Sequence, residues 1–116
     1  MSLVFIALVT PPKRIPEIAM KELIKNKGKY QGKLVKTRGC FLERFEERAL
    51  YYNCTIERNT KETIWIVFSS NAKRKFNFDS LSSRQIIIQG TLDTTKKGHC
   101  SAYPCSLFNA DIIEIK

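Results

Sequence analysis

The chain has one histidine, one tryptophan and no apolar run near the roughly 18 residues that a membrane-crossing helix needs. The lone histidine, His99, excludes any mechanism that requires two, including a two-His metal site. No Cys-x-x-Cys pair occurs, so the ligand spacing of a structural zinc site is missing, and neither metal nor cofactor is expected. A phosphate-cradling glycine loop and a strand-to-helix nucleophile elbow are also absent. So are internal repeats, linkers and low-complexity stretches. What remains is 116 residues, 43% hydrophobic and 27% charged, which suits one globular domain and not a disordered chain.

Catalytic groupings are hard to assemble from these residues. His99 adjoins Cys100, but a nucleophile and its base must converge in space with a third group to orient them. Glu43, Glu46 and Glu47 read as the charged tip of a hairpin and not as a working carboxylate pair. Asn53-Cys54-Thr55 matches a glycosylation acceptor but falls inside an expected strand. The chain therefore reads as a binding domain and not as an enzyme.

Charge is plentiful and lopsided. The formal net charge is +9. Residues 13–38 hold nine Lys or Arg against two Glu, whereas residues 39–116 hold eleven against nine acidic residues. Such a basic stripe attracts polyanions (nucleic acid, anionic lipid or an acidic protein), or it simply faces water.

The four cysteines are Cys40, Cys54, Cys100 and Cys105. If residues 45–49 close a hairpin around Glu46, Glu47 and Arg48, Cys40 falls opposite Cys54. Opposed Cβ atoms then lie about 4.5–5.5 Å apart, close to disulfide geometry, and a one-residue slip destroys the match. Cys100 and Cys105 can then pair around Tyr103-Pro104. The competing reading is four reduced core thiols. Paired cysteines favour a periplasmic or secreted protein, and reduced ones the cytoplasm. Residues 3–9 are an apolar run with no positive charge before them and no small-residue cleavage site after. That makes a poor complete signal peptide, so residues 1–14 are read as a signal-peptide remnant or as a strand or strap. Residues 15–116 form the domain.

Periodicity orders the rest. Residues 15–25 carry Ile15, Ile18, Ala19 and Leu23 at helical spacing, with Pro16 and Glu17 suited to a first turn. Period-two alternation follows over residues 33–45, where the mid-strand Gly39 signals a bulge or bend. Further strands are expected at 49–56, 63–69, 86–92 and 105–115, with 70–84 irregular apart from a helical turn at 79–83. A helix, a long strand, two strands, a connector and two strands match a mainly β fold: a five-stranded OB-like Greek-key barrel with an N-terminal α-helix. The alternative is an open five-stranded sheet under the helix.

A family resemblance points the same way. The run Tyr30-Gln31-Gly32-Lys33-Leu34-Val35-Lys36-Thr37-Arg38-Gly39 resembles the opening strand of bacterial OB-fold domains of the tRNA-anticodon-binding-like kind. Ile86-Ile87-Ile88-Gln89-Gly90-Thr91-Leu92 resembles their fourth strand. Phe45-Glu46-Glu47-Arg48-Ala49-Leu50-Tyr51, with Gly98-His99, is similar to small uncharacterised bacterial proteins often found behind export signals. The resemblance spans residues 16–116 and implies a non-enzymatic domain. The four cysteines and the high basicity depart from the usual form.

OB barrels bind on the face of their second and third strands, flanked by the first and last hairpin loops. Aromatic platforms stack bases there and basic side chains track the phosphates. The candidates are Tyr51 and Trp65 as platforms, Arg44 and Arg48 at the first hairpin, and Lys96, Lys97, His99 and Tyr103 in the last loop. An exported protein-interaction module, stapled by disulfides, is the other reading.

Overall fold

A computed structural model describes residues 14–44, 47–54, 60–98 and 101–116. The expected strand or strap at residues 1–14 lies outside the described residues except for Arg14. Five strands form the body: β1 (Leu34–Arg44), β2 (Glu47–Tyr51), β3 (Ile64–Phe68), β4 (Arg84–Asp93) and β5 (Ser106–Ile115). They close into a barrel in the order β1-β2-β3-β5-β4, with β3 and β5 parallel and every other pair antiparallel. Closure satisfies the backbone groups that an open sheet would leave along its edges.

Alternation divides β1 cleanly. Val35, Thr37, Gly39 and Phe41 are buried toward the barrel interior, and Lys36, Arg38, Cys40 and Leu42 face outward. Phe41 packs edge-on against Phe68 and Phe78, and Phe68 stacks on Phe78 with centroids 4.3 Å apart. Leu50, Ile64, Ile66, Ile86, Ile88, Leu92 and Leu107 complete the core. Gly39 is required by packing, because a Cβ there would sit 2.5 Å from the Tyr51 carbonyl and 2.7 Å from Met20 Sδ. On β5, Asn109 takes φ 52°, a left-handed conformation Asn tolerates, where the register against β3 and β4 shifts.

Four short α-helices pack on the barrel among the described residues. α1 (Met20–Lys25) and α2 (Lys27–Tyr30) precede β1, with Met20 and Leu23 in the core. α3 (Ser70–Lys75) and α4 (Phe78–Leu81) lie between β3 and β4, with Phe78 and Leu81 turned inward. Two side-chain caps start this second pair. Ser69 Oγ accepts from Ala72 N, and Asn77 Oδ1 accepts from Asp79 N and Ser80 N. The expected helical turn at 79–83 is found as α4, whereas residues 70–75, expected to be irregular, form the capped helix α3.

The first expected helix is shorter than 15–25. Residues 16–18 are extended instead, and run parallel to β1. Lys36 N donates to Pro16 O at 3.0 Å and Ile18 N donates to Lys36 O at 2.7 Å. The cause is visible in the pairing of β1. β2 covers only Cys40 to Arg44, so the preceding stretch would expose backbone groups on that side. Residues 16–18 of the incoming chain satisfy the amide and carbonyl of Lys36.

The hairpin register also differs from the expected one. Cys40 lies opposite Tyr51, not Cys54, because Arg44 pairs with Glu47 and only two residues connect the strands. Cys40 and Cys54 are nonetheless disulfide-bonded, with Cα atoms 5.2 Å apart. β2 ends at Tyr51, and the turn that follows carries Cys54 back toward β1. The second pairing is not made: Cys105 is a buried free thiol, while Cys100 lies outside the described residues. Among the described residues no helix is long and apolar enough to cross a membrane.

Candidate functional site

The outer face of β1, β2 and β3 carries a second apolar cluster, separate from the barrel core. Cys40, Ala49, Tyr51 and Tyr103 are its buried members, with Leu42 and Trp65 packed against them. Strand alternation puts Glu47, Ala49 and Tyr51 on this one face. Glu47 is almost fully buried there. Its Oε2 accepts from the Tyr103 hydroxyl at 2.5 Å and from the Tyr51 hydroxyl at 3.0 Å. Hydrogen bonds to a carboxylate are roughly twice as strong as neutral ones, and burial raises what is lost when they break.

Tyr103 belongs to the segment joining β4 to β5, and that segment folds back over the barrel. Tyr103 packs on Trp65 with centroids 5.1 Å apart. Gly98, at φ +71°, lies against the same two rings, so close that a Cβ would sit 2.6 Å from the indole. The described parts of the segment are tied at several points. Thr94 N donates to Gln31 Oε1, Tyr103 N to Lys97 O and Ser106 Oγ to Lys96 O. Asp93 accepts from the amide and hydroxyl of Thr95, which holds its carboxyl below the usual carboxylate range.

Beside this cover an open cleft remains, about 360 Å³ in volume. The parallel pairing of Trp65 with Ser106 puts Trp65, Val67, Ser106 and Phe108 along its floor, and residues 95–98 form its wall. Phe108 is 39% exposed and Trp65 half-buried, so the cleft offers aromatic surface to water. Lys96 and Lys97 stand exposed at its rim. Its volume is at the low end of small-ligand sites.

The residues singled out from sequence are dispersed by the fold. Trp65, Lys96 and Lys97 meet at the cleft, and Tyr103 lies beside Trp65. Tyr51 is on the right face but covered, with its hydroxyl on Glu47. Arg44 lies opposite Glu47 in the hairpin register, at the edge of that face. Arg48 points to the other side, ion-paired to Glu43 at 2.7 Å and lying over the Phe78 ring. His99 lies outside the described residues. Phe108, Val67 and Ser106 were not singled out. Leu107 and Phe108 are both apolar, so alternation alone does not say which one faces out.

The chain matches no family model, no curated protein and no solved structure.

Proposed function

We propose that this is a non-catalytic domain that binds single-stranded nucleic acid. One base rests against Trp65 and Phe108, and the adjoining phosphates meet Lys96 and Lys97. The observation that supports this reading is the convergence of two aromatic rings and two lysines on one cleft beside the last hairpin loop. Each stacked base would contribute about 1–3 kcal/mol.

The single tryptophan makes the test direct, since fluorescence excited beyond the tyrosine absorption band reports on Trp65 alone. Titration with oligothymidylate at low salt is expected to quench it. Phe108→Ala, and Lys96→Ala with Lys97→Ala, are expected to weaken binding. No quenching at low salt would overturn the reading. Equal binding of polyglutamate would replace it with a generic polyanion site.

A second reading, an exported protein-interaction module, is favoured by the Cys40–Cys54 disulfide. It expects no more than two titratable thiols in the unfolded, unreduced protein, and a titration finding four removes its support.

A further inference from the structure

We infer that the bound strand continues beyond the cleft along a lysine track that crosses the start of β1 to α2 and the end of α1. The track runs from Lys96 and Lys97 through Lys33 to Lys29, Lys27 and Lys25. This inference rests on the nucleic-acid reading of the cleft.

Direct contacts join the two regions. Thr94, next to the cleft wall, donates its amide to Gln31 at 2.6 Å. Gly32 N donates to Leu92 O at 2.8 Å, and Leu92 N donates to Lys33 O at 3.1 Å. The corner at residues 31–33 is therefore the cleft's immediate neighbour.

The charge of this surface is largely uncompensated. Lys25, Lys29, Lys33, Lys96 and Lys97 are exposed and Lys27 is half-buried. Among the described residues, two carboxylates lie near these lysines. Glu22, near Lys25 and Lys29, accepts from the Tyr30 hydroxyl and the Asn26 amide, both at 2.8 Å. Asp93, near Lys96, is engaged by Thr95. Glu17, the remaining acid of the basic stretch, is paired with Arg38 at 2.7 Å. An excess of this kind along a path, with aromatic surface at one end, fits a flexible chain of phosphates better than a compact anion.

Salt dependence counts the phosphates. For single strands the slope of log affinity against log salt is about −0.7 per neutralised phosphate, so the two cleft lysines alone give about −1.4 and all six about −4. The test titrates Trp65 fluorescence with oligothymidylates of two and of about eight nucleotides, a length within the span OB barrels cover. The protein is compared with the triple variant Lys25→Gln, Lys29→Gln, Lys33→Gln, all on exposed positions. The longer strand is expected to show the steep slope. The triple variant is expected to reduce that slope to about −2 and weaken the longer strand about tenfold or more at low salt, leaving the dinucleotide unaffected. Unchanged slope and affinity in the variant, with quenching retained, would overturn the track and leave the cleft standing. Absence of quenching by either strand overturns the cleft reading and the track with it.

Discussion

Tyr103 donates its phenolic hydrogen to Glu47 across 56 positions of chain, onto the carboxylate oxygen that also accepts from Tyr51. This one node fastens the β4–β5 segment over the outer face of β2. With the outer face of β2 covered in this way, the open cleft lies on the β3–β5 side.

Tyr103→Phe keeps the ring against Trp65 and deletes the hydrogen bond. The expected loss is about 1–3 kcal/mol, the cost of leaving a buried acceptor short of a donor. Urea unfolding measures it. An unchanged midpoint would mean that the hydrogen bond from Tyr103 adds nothing to what otherwise holds Glu47.

Gly98→Ala places a methyl group where the indole of Trp65 lies, at a left-handed φ that alanine rarely adopts. The residues around it must shift, so a loss of at least about 1 kcal/mol is expected. The emission of Trp65 should also move to longer wavelength as the cover lifts. Wild-type emission and stability together would show that the segment adjusts freely.

Cys54→Ser removes the disulfide at its exposed end and leaves the packing around Cys40 in place. Closing a separation of 14 residues is worth about 3 kcal/mol by chain entropy. The variant and the dithiothreitol-reduced protein should unfold at the same, lower denaturant concentration, and the oxidised protein at a higher one. Coincidence of all three curves contradicts the bond.

Burial pushes the Cys105 thiol up from 9.0 to about 11. The folded state therefore holds the proton more tightly than the unfolded chain does. Stability from this group is fully present below pH 9 and lost as pH rises toward 11, a fall of about 2–3 kcal/mol. Cys105→Ala should make the alkaline slope shallower, leaving the part from Tyr30 and Tyr52, whose phenols are also raised, and denaturation at pH 8 and pH 10.5 in both proteins checks it. In the native protein at pH 8, Cys105 should resist thiol reagents until the chain unfolds.

Local pattern carried much of the architecture. The alternation of β1 over Val35, Thr37, Gly39 and Phe41 and the isoleucine run of β4 are written in residue order. Five strands with that spacing in so short a chain leave a small barrel as an economical burial of their apolar faces. The apolar stripe from Ile15 to Leu23 misled for a physical reason. Ile15 and Ile18 are spaced for a helix, but the unpaired side of β1 drew residues 16–18 into extended backbone bonds. That demand arises only because β2 ends at Tyr51, opposite Cys40.

Sequence by itself determined the strand content, the mainly β class and the basic stretch. These depend on residues close along the chain. Tertiary structure alone decided the register that sets Cys40 opposite Tyr51, the turn that still brings Cys54 back, and the free state of Cys105. It alone also brought Phe108 beside Trp65 and buried Glu47 under Tyr103. Those outcomes depend on which distant surfaces exclude water together, and barrel closure settles that for all five strands at once.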